Sequence, residues 1–336
     1  MWRTWKWGSI LLGVAACNGN SNQGVDGGGG AIDTPPPQGR TFEERCAEPE
    51  VIACFGFDSP SETTPYLNDS GHRPPVFDSA LAADGAGSIR MTVAAGSGPD
   101  TSGSFVLDFP PGTGIGEGET LFVQWRQRFS RAFLEADFGP GALGWKQMLV
   151  HENTSTAGCS PSEIVATSDR GFGILYHACN VFESPRENPV DGDIYEHDLQ
   201  PGGPSRCLYS WLERGLDHVE PSDDVDEVAC LGYLPDQWMT FAIGVHLTRW
   251  CTDADYDACP PDSRLQLWIG EEGASASNLA IDWPFALRAT TSPATTVYDS
   301  LQFTPYHTGK NPSVAHPTGE LWYDSVIISR APIGDP

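Results

Sequence analysis

LFVQWRQRFS, residues 121–130, reads as a β-strand with two unlike faces. Val123, Trp125, Gln127 and Phe129 fall on one side and Phe122, Gln124, Arg126 and Arg128 on the other, the period-2 pattern of a strand that covers a core. The first set is the core face. The second presents two arginines and a glutamine in a row, an arrangement that is costly unless that side meets solvent or a polar ligand.

Segments of the same kind recur outward in both directions. VIACFGFDS (51–59), SIRMTVAA (88–95) and SGSFVLDFP (102–110) precede it, and GWKQMLVHEN (144–153) follows. EIVATSDRGFGILYH (163–177) reads as a hairpin about Ser168–Gly171. QWMTFAIGVHLTRW (237–250) and RLQLWIGEEG (264–273) form a long pair across the acidic loop CTDADYDACPPDS, and VYDSLQFTPYHT (297–308) and ELWYDSVIISRAPI (320–333) end the chain. Roughly ten strands with almost no amphipathic helix predict an all-β fold, a two-sheet antiparallel β-sandwich of jelly-roll type. From about 178 to 236 the pattern dissolves into Pro-, Gly- and acid-rich sequence, broken by CLYSWLERGLDH, which has the character of a short helix. This stretch reads as a long insertion stapled by cysteines.

The net charge is -26, with 45 Asp and Glu against 19 Lys and Arg, so no basic stripe exists for nucleic acid. The N-terminus, MWRTWKWGSILLGVAAC, places Arg3 and Lys6 before a short apolar run, then Val14, Ala15, Ala16 and Cys17. The run is too short to span a bilayer and has the layout of an export signal. Its end resembles a bacterial lipoprotein cleavage box, which implies that Cys17 carries lipid and becomes the first mature residue. Asn18 behind it implies the outer membrane or cell surface of a Gram-negative cell. Residues 18–40, rich in Gly, Pro, Asn, Ser and Gln, read as a flexible tether, and 41–336 as the folded domain.

Eight further cysteines, Cys46, Cys54, Cys159, Cys179, Cys207, Cys230, Cys251 and Cys259, point to disulfides in an exported chain. Pairing of sequence neighbours, 46–54, 159–179, 207–230 and 251–259, is expected. No CxxC spacing supports zinc.

The ordering of strands resembles the concanavalin A-like jelly rolls of lectins, glucanases and polysaccharide lyases. The resemblance is carried by FGFD (55–58), by the pair WMTFAIGVHLT and RLQLWIGEEG, and by LWYDSVIIS (321–329). It covers most of 41–336. Two closely spaced carboxylates of glucanase type are missing, because the adjacent Glu271 and Glu272 point to opposite faces. The jelly-roll lyases match the polar positions more nearly, with arginines on one strand, Gln and His on another, and a later tyrosine.

That resemblance implies a monomeric protein that binds a polysaccharide on a concave sheet and cleaves a uronic-acid polymer by β-elimination. Such chemistry needs a group to neutralise the carboxylate, a base for the C5 proton and an acid for the leaving oxygen. Alternation along GWKQMLVHEN places Lys146, Met148 and Val150 on one side and Gln147, Leu149 and His151 on the other. Gln124, Arg126, Arg128, Lys146 and Gln147 are the candidates for the carboxylate, His151 for the base, and Tyr306 or Tyr176 for the acid. The chain after Cys17 has two lysines, Lys146 and Lys310, and both lie near histidines. YHTGKNPSVAH (306–316) adds His307, Lys310 and His316 in a loop, the kind of place where binding groups concentrate. The expected meeting point is a polar face formed by Gln124, Arg126, Arg128, Gln147 and His151. A non-catalytic lectin-like or adhesive module is the alternative.

No cofactor is required. Asp253, Asp255 and Asp257 have the spacing of an oxygen-ligand loop, but Ala258 stands where such a loop has glycine and Arg264 where it has glutamate, so a structural calcium competes with a solvated acidic turn. Trp125, Trp145, Trp211, Trp238, Trp250, Trp268, Trp283 and Trp322 are candidates for core or for sugar-stacking platforms.

Overall fold

Alternating strands that each bury one face have to pair and stack, and the chain does so in two antiparallel sheets. The computed structural model describes residues 39–66, 74–98, 103–136, 138, 144–152, 163–169, 172–178, 193–195, 232–252, 259–289, 293–306 and 310–336. Everything below concerns these residues, all within the unit Pro35–Pro336. In chain order the strands are β1 (Val51–Phe55), β2 (Val76–Asp78), β3 (Ser88–Val93), β4 (Phe105–Asp108), β5 (Glu119–Phe129), β6 (Gly144–His151) and β7 (Glu163–Asp169). They continue with β8 (Phe172–Ala178), β9 (Asp193–Tyr195), β10 (Trp238–Leu247), β11 (Ser263–Gly270), β12 (Asn278–Phe285), β13 (Ser300–Phe303) and β14 (Gly319–Ser329).

One sheet has eight strands in the order β12-β11-β10-β5-β14-β3-β2, with β1 pairing alongside β14. The other has six, β4-β13-β6-β7-β8-β9. The sequence expectation of a two-sheet antiparallel sandwich holds. The long β5, β10 and β14 form the middle of the larger sheet; β5 and β10 alternate over their whole length, while a bulge between Asp324 and Ile327 switches the core face of β14 from Leu321 and Tyr323 to Val326 and Ile328. β10 and β11 pair from Thr240↔Gly270 to His246↔Arg264, and β7 and β8 form the expected hairpin. The sequence pattern does not announce β2, β9 or β12: β2 and β9 are only three residues long, β9 lies in the stretch expected to be irregular, and β12 contains Pro284, which suits the sheet edge where it lies.

The inner faces meet in an aromatic core. Trp125 stacks on Phe241, Phe105 stacks on Phe303, and Tyr323 meets both Phe105 and Phe303 edge-on. Phe129, Phe133, Trp145 and Tyr233 form the neighbouring cluster, with centroids 4.7 to 6.3 Å apart. Truncating such a fully buried ring to alanine typically costs about 3–5 kcal/mol.

Three short helices decorate the sandwich, of which α1 (Phe42–Cys46) matters most. Its capping box is complete: Thr41 Oγ1 accepts from the Glu44 amide and the Glu44 carboxylate from the Thr41 amide. A disulfide joins Cys46 at its end to Cys54 in β1, and a second joins Cys251 to Cys259. Both are expected neighbour pairs. Cys159, Cys179, Cys207 and Cys230 lie outside the described residues, as do Cys17, the tether and most of the 178–236 insertion.

Candidate functional site

The polar side of β5 is real, but it is not open. Gln124, Arg126 and Arg128 face away from the core on the outer side of the eight-stranded sheet, where other parts of the chain cover Gln124 and leave the two arginines half-buried. Gln124 is buried: its Oε1 accepts from Arg45 of α1, and its Nε2 donates to the Gly334 carbonyl at 3.1 Å. Arg126 donates to the Trp238 carbonyl at 3.4 Å, and burial lowers its pKa. Arg128 lies in a row with Arg90, Trp322 and Trp238 on four neighbouring strands, and both tryptophans are buried. The Trp322 indole donates to Asp78 at 3.0 Å.

Gln147 turns the opposite way from the expectation. The β6–β7 register slips between Lys146 and Met148, so a bulge at Gln147 breaks strict alternation. Gln147 therefore points between the sheets. Its Nε2 donates to Gln127 Oε1 at 3.0 Å, its Oε1 accepts from Tyr233 at 2.7 Å, and its carbonyl accepts from Tyr323 at 3.1 Å. Trp125 Nε1 also donates to Gln127, at 3.0 Å. This buried network ties the two sheets together, and burial drives the Tyr323 phenol far above its ordinary pKa. Gln147 and His151 do not share a face, and neither joins the β5 arginines, because β5 and β6 belong to different sheets.

The same bulge sets the outer face of the six-stranded sheet. Trp145, Met148 and Val150 join the core, which leaves Lys146, Leu149 and His151 on the outside. Lys146 donates its backbone N–H to the Tyr306 carbonyl at 2.8 Å, so residue 306 continues the β13 pairing beyond Phe303. Its ammonium sits over the Tyr306 ring, 5.6 Å from the centroid, a cation–π contact. At the other end of β6, His151 Nδ1 lies 3.1 Å from the Glu152 carbonyl, an acceptor, so Nδ1 carries the proton and the neutral ring has its lone pair on Nε2. Nε2 is buried and has no hydrogen-bond partner among the described residues. Register sets Ser300 opposite His151 on one side and opposite Asp108 on the other, and Ser300 Oγ donates to Asp108 at 3.0 Å. Gln302 stands opposite Leu149. Tyr176 of β8 pairs with Val165, which pairs with Leu149, so its backbone belongs to the same row.

Lys310 leaves the site. It is buried, and its ammonium donates to the Ser97 carbonyl, to Ser97 Oγ at 2.9 Å and to the Gly98 carbonyl at 3.4 Å, over the Phe138 ring. Burial lowers its pKa. His316 packs on the same ring and points Nδ1 at the Pro317 carbonyl. The two pin a loop. His307, Asp253, Asp255 and Asp257 lie outside the described residues, and among those described no group of three His, Cys, Asp or Glu residues is placed to hold a metal. Of the tryptophans, Trp125, Trp145 and Trp250 are core, Trp238 and Trp322 are buried on the outer side, and Trp268 is half-buried. Trp211 lies outside the described residues and nothing is assigned to the Trp283 side chain.

The fold has a counterpart among solved structures. The chain is similar in fold to a marine alginate lyase. That enzyme, from Aplysia kurodai, superposes with a TM-score of 0.53 at 12% identity over 84% of this chain and 99% of its own. An endo-β-1,4-glucuronan lyase from Trichoderma reesei matches with a TM-score of 0.45 at 10% identity, covering 79% of this chain and 90% of that one. An alginate lyase of Chlorella virus matches with 0.41 at 13%, covering 84% and 100%. No family model and no curated protein sequence matches the chain. The resemblance to jelly-roll polysaccharide lyases holds at the level of fold, and identities this low carry it no further.

Proposed function

We propose that this is an exported, lipid-anchored protein that binds a polysaccharide across the outer face of the six-stranded sheet and cleaves a uronic-acid polymer by β-elimination. The observation that carries the reading is the pairing of Lys146 with Tyr306 on that face. An ammonium beside a uronate carboxylate offsets its charge and makes the C5 proton easier to remove. A phenol next to that ammonium is placed to take that proton or to protonate the leaving oxygen.

His151 is five residues along the strand, about 15 Å from Lys146. C4 and C5 of one sugar are bonded neighbours, so Lys146 and His151 cannot both act on them. The chemistry is therefore assigned to Lys146 and Tyr306, and His151 to a sugar farther along the chain. This revises the expectation of His151 as base with Tyr306 as acid. Export and anchoring rest on the sequence of the first seventeen residues, with Cys17 as the lipidated residue.

The experiment is to incubate the purified chain with alginate, glucuronan, pectate and glycosaminoglycans and follow the ultraviolet absorbance of the unsaturated product. Release of that product, lost in Lys146→Ala and Tyr306→Phe and reduced in His151→Ala, supports the lyase reading. Silence across the panel rejects it. The separation of Lys146 from His151 favours a second reading, a lectin-like module. That reading expects glycan binding without product.

A further inference from the structure

On the other sheet, the outer side of β5, β10 and β11 carries an aromatic shelf. Two outward residues at the centre of β10, Ala242 and Gly244, have no side chain larger than a methyl group. They stand between Trp268 and Gln266 of β11 on one side and Gln124 and Phe122 of β5 on the other. A Cβ added at Gly244 would lie 3.0 Å from the Phe122 ring and 3.1 Å from the far edge of the Trp268 indole. Two rings therefore reach over the glycine from the flanking strands, and the indole lies down along the sheet instead of standing away from it. The ring centroids are 6.2 Å apart, tilted by 44°. Phe122 is buried and Trp268 half-buried, so the pair shows solvent the outward side of the indole. Leu279, opposite Trp268 on the edge strand β12, is 48% exposed and extends the apolar surface.

Polar groups form one border of the shelf. Gln266 Oε1 meets His246 Nε2 at 2.9 Å, and the imidazole stands edge-on to Phe122 with centroids 5.6 Å apart. With its oxygen committed to the imidazole, the Gln266 side chain offers its amide nitrogen as a donor. The charges beside it cancel: Arg264 donates to both oxygens of Asp282, through Nη2 at 2.6 Å and through Nε.

A ligand suited to this surface is flat and apolar on one side, uncharged, and furnished with hydroxyls around its rim. A pyranose ring is such a body: its C–H face can lie on the indole while its equatorial hydroxyls reach the amide and imidazole. A purely apolar partner would take water from the Gln266 and His246 side chains without replacing it. A uronate would find no unmatched cation there. We infer that Trp268, with Gln266 and His246 at its border, binds an uncharged hexopyranose unit of a neutral polysaccharide. The site lies on the opposite sheet from Lys146 and Tyr306, so it stands or falls independently of the lyase reading.

The test is affinity electrophoresis of the full-length chain, which its charge of -26 carries through a native gel holding β-glucan, xyloglucan, galactomannan or dextran. Retardation by at least one polysaccharide is expected. Trp268→Ala should raise the apparent Kd about tenfold or more, Gln266→Ala should raise it less, and Lys146→Ala should leave it unchanged. Should Trp268→Ala fail to fold, as its melting curve would show, the surface variant Gln266→Ala decides. No retardation in any gel, retardation undiminished in the variants, or its loss in Lys146→Ala would each overturn the assignment. Trp268-dependent self-association or binding to phosphatidylcholine vesicles, in place of glycan binding, would overturn it in favour of an apolar partner.

Discussion

Gln147 and Lys146 are adjacent in sequence and opposite in role, and single substitutions separate the two. Gln147→Ala takes the acceptor from the Tyr233 hydroxyl between the sheets and leaves Gln127 Oε1 with Trp125 as its donor, a loss of about 1–3 kcal/mol. Urea unfolding should show it as a lowered midpoint with little change in slope. Lys146→Ala removes a half-buried side chain from the outer face, so the expected result is lost product formation with a midpoint close to wild type. Asp324 gives a prediction in pH. Burial raises its pKa from 3.8 to about 7, against the three amides that pull it down. The native state therefore holds the proton more tightly than the unfolded chain does. This contribution is complete below about pH 4 and is lost as pH rises to about 7. Asp324→Asn should remove that decline, so melting curves from pH 4 to 8 converge at the acid end and separate toward neutrality. Parallel curves would refute the argument.

Strands and their register decide which of these roles a residue can take. Along β5 the expected faces are the observed ones, because no bulge interrupts its pairing with β10 from Trp238↔Arg128 to Leu247↔Glu119. Along β6 one slipped residue reverses Gln147. A bulge arises from pairing with a neighbouring strand, so nothing inside GWKQMLVHEN announces it. In β8, Gly173 faces the core so closely that an added Cβ would stand 2.7 Å from Leu267 and 2.9 Å from Ile269 of β11, in the other sheet. Gly173→Ala is expected to cost about 1–3 kcal/mol by forcing the sheets apart, and Gly173→Val more, measured by chemical unfolding. Gly85 works differently, with φ +64 and a Cβ position only 1.8 Å from Asp58, so the Asp58 carboxylate can seat against the Ala86 amide.

At the scale of the whole molecule, what matters is which sheet face is left uncovered. α1 and the tail residue Gly334 lie over Gln124 of β5, and the proposed site is therefore on the other sheet. The disulfides hold some of this in place. Each closes a loop of eight residues, worth about 2–3 kcal/mol, and reduction should lower the melting temperature without abolishing the sandwich signature in circular dichroism. In cells, Cys17→Ser is expected to shift the protein from the membrane fraction to the soluble extracytoplasmic fraction, which cell fractionation and mass spectrometry of the N-terminus would check.

Alternation determined the fold class, most strands and the faces of β5, and the closeness of cysteines in sequence the two described disulfides, since period-2 burial and short loop closure are local properties of a chain. It pointed to Lys146, His151 and Tyr306 as polar groups of interest. Only tertiary structure decided that Gln147 belongs to the core, that Lys310 anchors a loop, and that Gln124 is covered while Lys146 meets Tyr306. Those outcomes depend on partners from 20 to 213 residues away, on other strands and loops, and the residue types of one segment carry no record of what will come to lie on it.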